Sequence, residues 1–159
     1  MLDLKRLIGV VFHSSSPVVF REIKNEWLKI SPQFEADDMA VVGGEFCQGS
    51  GEITGMIANL KRCTCDTDFV IMTKSVIKAI GDAMVNNHKS VVVISDQFSP
   101  DMEQTIAKMR RLNETFNYKC NLHFIQISTH QTCEDDRFQR TFLSNASDLH
   151  DKFQEILGG

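Results

Sequence analysis

Residues 91–96 read VVVISD, four consecutive β-branched residues followed by two polar ones. A second apolar run, residues 7–12 (LIGVVF), ends in the polar segment 13–16 (HSSS). A continuous apolar run without alternation is typical of a strand that is buried on both faces, as in a parallel sheet covered by helices on each side. We therefore predict two buried strands, each of which ends in a polar loop.

Helical patterns occupy the segments between these strands. Apolar residues recur at spacings of three and four over residues 17–29 and again over 69–85. Ser99 and Pro100 mark the start of a further helix, because serine can accept the free amides of a first turn and proline needs no amide partner there. Additional patterns predict strands at 122–127 and 141–143 and a final helix from Ser147. This alternation predicts right-handed βαβ crossovers and a mostly parallel sheet with helices on both faces.

One connection departs from the alternation. Residues 39–42 (MAVV) are strand-like, and the glycine-rich segment 48–51 (QGSG) separates them from 52–57 (EITGMI). Such a segment between two β-leaning runs is typical of a hairpin. We predict a hairpin that adds one antiparallel strand to the sheet. The predicted fold class is a single three-layer α/β/α domain over residues 1–159.

The composition narrows the class of protein. The chain has 159 residues, of which 42% are hydrophobic and 24% charged, as in one globular domain and unlike a disordered chain. The net charge of −4 gives no general attraction for phosphate backbones or anionic lipid, so we expect neither nucleic acid nor a membrane as a partner. No stretch approaches the ~20 apolar residues of a membrane-spanning helix. Five cysteines, an odd number, without a signal-peptide pattern predict a reducing, cytoplasmic setting with free thiols.

The cysteines and glycines do not form a cofactor motif. Cys63 and Cys65 are separated by one residue, and no second close pair accompanies them, so a zinc site is not expected. The glycines lack the spacing of a phosphate-binding loop between a strand and a helix. We therefore expect no cofactor.

Polar residues follow both buried strands and define a candidate site. His13 and three serines follow the first strand, and Ser95, Asp96 and Gln97 follow the second apolar run. Ligands of open α/β sheets gather at the carboxyl ends of the strands. We expect the two polar loops to lie together at one rim of the sheet.

The order of these elements resembles the von Willebrand factor A domain over nearly the whole chain. In that family a metal-ion-dependent adhesion site (MIDAS) joins an Asp-x-Ser-x-Ser loop after the first strand, a Thr ahead of a central helix and an Asp at the end of the next central strand. Thr67 and Asp96 resemble the family's Thr and its strand-end Asp, and Asp68 directly follows Thr67. Oxygen ligands of this kind suit a hard cation such as Mg²⁺, which readily takes one carboxylate from a partner.

The loop after the first strand departs from the pattern of the family. When the sequences are aligned on the apolar run, His13 stands where the family has its first Asp, with Ser15 and Pro17 at the two Ser positions. In addition, Gln97 replaces the glycine that often follows the second Asp of the family. Two of the three loop positions have therefore lost their usual chemistry.

A second register is open. It keeps Ser14 and Ser16 as the two hydroxyls but places Phe12 at the position of the first Asp. In either register the leading carboxylate is missing, and hard cations are held mainly by charged oxygens. We therefore expect no bound metal and binding that is independent of metal.

Members of the family mostly act by docking protein partners at the rim that carries the adhesion site. The resemblance thus implies an interaction module, an accessory or adaptor protein, and not an enzyme. We expect its unidentified protein partner to bind the rim residues Ser14, Ser15, Ser16, Thr67, Asp68, Asp96 and Gln97.

Two other functions stay open. The first is a divalent-dependent or hydrolytic site at His13, Ser15, Thr67 and Asp96. The second is nucleic-acid binding through a basic region near the end of one helix, which consists of Lys108, Arg110, Arg111 and Lys119 with Phe116 and Tyr118 close by. The ordinary interpretation of that region is a solvated helix face, because basic residues are favourable near a helix carboxyl terminus.

Overall fold

A computed structural model describes residues 6–13, 16–42, 45–61, 66–82, 88–96, 100–127, 140–143 and 148–158. The strands in these ranges are β1 (Arg6–His13), β2 (Met39–Val42), β3 (Glu45–Gln48), β4 (His88–Ser95), β5 (Asn121–Ile127) and β6 (Arg140–Leu143). The α-helices are α1 (Pro17–Ile30), α2 (Gly49–Ala58), α3 (Asp66–Asp82), α4 (Pro100–Thr115) and α5 (Leu149–Gly158). None of the helices in the described ranges is long and apolar enough to cross a bilayer.

The strands form one mixed sheet in the order β3-β2-β1-β4-β5-β6. Neighbouring strands are parallel except for β2 and β3, which are antiparallel. The chain builds outward from β1 on one side and then returns to place β4 on its other side. Such a reversal of strand order leaves a crevice at the carboxyl ends of the two strands. The predicted sheet, mostly parallel with one antiparallel strand, is confirmed.

Helices cover both faces of the sheet. Successive side chains of a strand point to opposite sides, so the apolar side chains of a central strand need a cover on each side. One core contains Ile8, Val10 and Phe12 of β1 and packs against α1, α2 and α5. The other core contains Leu7 and Val11 and packs against α3 and α4. The central strand is therefore apolar on both faces, which explains its continuous apolar run. The predicted three-layer arrangement is confirmed.

Gly9 allows α3 to approach β1 closely. A Cβ atom built on Gly9 would lie 2.4 Å from Cγ1 of Val76 and 3.1 Å from Cγ1 of Ile80, both on α3. The first distance is far below the ~3.5–4.0 Å at which carbon atoms make favourable contact. The separation of α3 from the sheet therefore depends on the missing side chain at this position.

The prediction of a strand at 52–57 is wrong. The antiparallel strand is β3, which lies earlier in the chain, and 52–57 belongs to α2. Ile53 and Ile57 are four residues apart and both fully buried in the first core, as one face of a helix requires. Gly49, with φ of +80°, makes the turn from β3 into α2, a conformation that glycine adopts without strain. The other predicted strands and helices are present with shifted ends.

Candidate functional site

The carboxyl ends of β1 and β4 lie side by side. His13 and Ser95, the last residues of these strands, are partners in the parallel ladder. The His13 Nδ1 and the Ser95 Oγ are 2.9 Å apart, and both side chains are fully buried. A buried polar group is stable when it is hydrogen-bonded. This bond therefore holds the imidazole inside the end of the sheet.

The first turn of α3 packs against the same imidazole. The ring of Phe69 is buried and meets His13 edge to face, with ring centroids 5.5 Å apart and planes at 79°. Thr67 and Asp68 lie in this first turn, because α3 begins at Asp66 and not at the predicted Phe69. Their side chains are outside the described part of the structure. The backbone nevertheless brings both residues to the end of the sheet where β1 and β4 finish.

Ser16 begins α1. Its Oγ accepts a hydrogen bond from the Val19 amide at 3.3 Å, and its carbonyl accepts one from the Phe20 amide at 3.0 Å. Pro17 occupies the first helical position. Ser16 is thus an N-cap, which satisfies amides that the first turn leaves without helical partners. The other predicted loop residues, Ser14, Ser15 and Gln97, lie outside the described residues.

The two registers of the first loop place different residues at the position of the missing carboxylate. Phe12 points to the first core, where its ring lies 6.0 Å from that of Trp27. His13 points to the opposite side, against Phe69 of α3. Because Thr67 is also on α3, His13 is the residue of β1 that shares a side with Thr67. Asp96, half-buried, directly follows the strand partner of His13.

The sequence placed Ser95 among the polar residues of the candidate site without pairing it with His13, and it assigned no role to Phe69; both residues contact His13. The available signal was that His13 and Ser95 each end a buried strand. Their pairing depends on the register of β1 against β4, which an apolar run does not fix because every residue in it is buried.

The predicted basic region divides into two parts. Arg110 lies against the sheet, with its guanidinium 4.8 Å from the centre of the Phe124 ring, and burial lowers the pKa of this arginine. Lys108 and Arg111 lie on the exposed side of α4. There they line an open groove of about 290 Å³ together with Lys74 of α3, Leu112 and Thr115. Lys74 was missed because the pairing of α3 with α4 is not visible in the sequence.

Cys47 and Cys120 are buried free thiols, as predicted. Burial, with a smaller effect from the charge of Glu52, raises the pKa of Cys47 to about 11. Cys63 and Cys65 lie outside the described residues. Within the described ranges no group of three or more His, Cys, Asp or Glu side chains is arranged to hold a metal ion.

Comparison with known proteins places the fold. No protein-family model matches the sequence, and the search of curated proteins found no match. Among solved structures, the chain is similar to proximal thread matrix protein 1 from the mussel byssus, which was solved with a zinc-occupied MIDAS motif. The TM-score is 0.55 and the sequence identity 12%, over 99% of this chain and 46% of that one. The chain thus spans about half the length of that protein, and at this identity the likeness concerns the fold, which is that of a von Willebrand factor A-like domain.

Proposed function

We propose that the chain is a protein–protein interaction module, an adaptor or regulatory protein without catalytic activity, and that its partner binds the rim without a metal ion. The rim consists of the segment from Ser14 to Ser16, of Thr67 and Asp68, and of Asp96 and Gln97. The observation that carries the proposal is the position of His13. The alignment on the apolar run gives His13 the position of the leading carboxylate of a MIDAS motif, and its imidazole is fully buried between Ser95 and Phe69.

The donors at this rim do not fit a hard cation. Mg²⁺ and Ca²⁺ are held mainly by charged oxygens. His13 supplies ring nitrogens, of which Nδ1 is already bonded to Ser95, while Thr67 supplies a neutral hydroxyl. Asp68 and Asp96 are the two carboxylates of the rim, and the leading carboxylate of the family's first loop is missing. This donor set favours docking through hydrogen bonds to a protein over coordination of a partner through a bridging cation.

The pair of His13 and Ser95 also bears on catalysis, since a hydrogen-bonded serine and histidine can act as a nucleophile and a base. A nucleophile must be within reach of the bond that it attacks. Both side chains are fully buried, and Phe69 packs against the imidazole. The hydrogen bond therefore supports a structural role at the strand ends, and we assign no hydrolytic activity to the rim.

Site-specific photo-cross-linking tests the proposal. A photoreactive amino acid at Asp96 should yield a defined protein adduct in an extract of the source cells, in the presence of chelator. The matched control carries the same group at Asn121, which is exposed at the first residue of β5 and hence at the opposite end of the sheet. The partner identified in this way should lose affinity for the Thr67→Ala/Asp96→Ala variant.

Three outcomes would overturn the proposal: adducts that form equally at Asp96 and Asn121, adducts that require added Mg²⁺, and an affinity that the double variant leaves unchanged. Circular dichroism of each variant separates a loss of binding from a loss of fold. Turnover of simple esters or phosphates that is lost in Ser15→Ala would instead support the hydrolytic alternative.

A further inference from the structure

A second surface, away from the rim, combines positive charge with an exposed aromatic ring. It is the groove between α3 and α4, whose volume is about 290 Å³. Lys74 lines it from α3, and Lys108 and Arg111 line it from α4. All three residues are exposed, and none of them forms an ion pair within the part of the chain that the structure describes. In a chain of net charge −4, this is a local concentration of cations.

Two of the three acidic residues of α4 lie away from the groove; the side chain of the third, Asp101, is outside the described part of the structure. Glu103 and Glu114 fall, by helical spacing, on the flank of α4 that carries Arg110, and Arg110 packs against Phe124 of β5. That flank faces away from α3. On α3, Lys78 follows Lys74 by one turn and is also exposed, whereas Asp82, one turn further, lies beside Tyr118.

An aromatic stack lies just beyond the carboxyl end of α4, directly after the groove residue Thr115. Phe116 follows the groove residue Leu112 by one helical turn, with its amide bonded to the Leu112 carbonyl at 3.0 Å. Its ring stacks on that of Tyr118, with centroids 5.6 Å apart and planes at 21°. Tyr118 in turn lies flat on Gly81 of α3, where a Cβ would be 2.4 Å from the ring. Phe116 itself is 60% exposed, so the stack ends in a ring that is open to solvent.

We propose that this groove binds single-stranded nucleic acid, with phosphates at Lys74, Lys108 and Arg111 and a base stacked on Phe116. Proteins that bind single strands combine a positive groove, which follows the backbone, with aromatic rings on which bases stack. An acidic peptide would use the same cations but gains less from a flat, open ring. A duplex cannot offer an unstacked base to Phe116. The site is separate from the rim and does not depend on the function proposed there.

Fluorescence anisotropy with a labelled oligothymidylate or oligouridylate tests the assignment. Three phosphate contacts predict a salt dependence with a slope near −2, so affinity should fall roughly fifteenfold to twentyfold between about 50 and about 200 mM salt. Lys108→Glu should weaken binding several-fold and make the slope shallower by about 0.7. The matched control is Arg21→Glu, which makes the same change of net charge on the exposed face of α1 in the opposite layer.

The aromatic contribution needs its own pair of variants. Phe116→Ala should weaken binding about fivefold or more, because stacking on an aromatic ring contributes ~1–3 kcal/mol per base. Phe46→Ala is the control, since Phe46 is a similarly exposed phenylalanine on the edge strand β3. Both side chains are largely in solvent, so both variants should keep the circular dichroism spectrum of the parent.

The outcomes distinguish a single-stranded nucleic acid from the other anionic ligands that these cations could bind. The proposal is overturned if the oligonucleotide does not bind at about 50 mM salt, or if Lys108→Glu and Arg21→Glu weaken it equally. It is also overturned if duplex DNA binds as tightly as the single strand and Phe116→Ala has no effect, or if only free nucleotides bind. Selective binding of an oligoglutamate peptide, lost in Lys108→Glu, would assign the groove to an acidic protein segment and likewise overturn it.

Discussion

Replacing Gly9 by alanine tests how α3 is held against the sheet. The added methyl group would meet Cγ1 of Val76 at 2.4 Å and Cγ1 of Ile80 at 3.1 Å. Both neighbours are β-branched and have one strongly preferred side-chain rotamer in a helix, so neither can turn aside without strain. Gly9→Ala must therefore push α3 away from β1 or distort its side chains.

Two opposing contributions determine how much Gly9→Ala lowers the free energy of unfolding. Overpacking a close-packed core typically costs 1–3 kcal/mol, and the stiffness of both neighbours places this case at about 2–3 kcal/mol. The loss of unfolded-state freedom when glycine becomes alanine offsets ~0.4–1 kcal/mol. The net loss in the free energy of unfolding is then about 1–2.5 kcal/mol, which lowers the Tm by roughly 2–10 °C.

Urea unfolding followed by the fluorescence of Trp27, the one tryptophan of the chain, measures this loss. Gly51→Ala is the control: nothing lies within 4 Å of its Cβ position on α2, so alanine should stabilise the helix by up to about 1 kcal/mol. Val76→Ala should be less costly in the Gly9→Ala background than in the parent, because it removes the obstructing methyl groups. An unchanged urea midpoint for Gly9→Ala, or an equal cost of Val76→Ala in both backgrounds, would refute the reasoning.

Three further predictions concern charge and metal. Asp38→Ala should lower the free energy of unfolding by about 3 kcal/mol, because the buried carboxylate accepts hydrogen bonds from Arg6 Nε at 3.0 Å and from the Glu35 amide at 2.7 Å. Asp38→Asn should lower the free energy of unfolding by less. Equal losses for the two variants in urea unfolding would contradict this. The pKa of Cys47 is about 11 in the folded chain and about 9 in the unfolded chain, so the free energy of unfolding should fall by about 2–3 kcal/mol as pH rises from 9 to 11. Cys47→Ala should make that decline shallower. An identical pH profile for the variant and the parent would contradict the role given to Cys47. Millimolar Mg²⁺, Mn²⁺ or Ca²⁺ should leave the Tm at its value in chelator; a titratable rise would show binding to the folded state and contradict metal-independent docking.

The parts of the fold that the sequence predicts well are those in which local pattern and burial agree. The central strands are buried on both faces, so their apolar runs are continuous. The helix α2 is the opposite case, because Gly49, Gly51 and Gly55 give it poor intrinsic propensity. Its stability comes from packing Ile53 and Ile57 into the first core. Tertiary contact overrides local preference there, and the spacing of Ile53 and Ile57 by four is too short a helical pattern to outweigh three glycines.

In the candidate sites, too, the sequence predicts single elements but not the contacts between elements that are far apart in the chain. That the polar ends of β1 and β4 lie together follows from the predicted parallel sheet. The bond between His13 and Ser95 does not, since it requires the register of two strands far apart in the chain. Similarly, Lys108 and Arg111 stand out as basic residues on one helix, while the contribution of Lys74 depends on how α3 lies beside α4.

The strand order delays the pairing of β1 while the chain is being synthesised. β1 is synthesised first, but its two neighbours in the sheet, β2 and β4, follow roughly thirty and eighty residues later, and contacts so distant in sequence form slowly. Until β4 leaves the ribosome, one edge of an apolar strand has no partner in its own chain. Such an edge can pair with other nascent chains. A polypeptide that ends before residue 88 should therefore aggregate, because β1 can be paired on both edges only after β4 has been made.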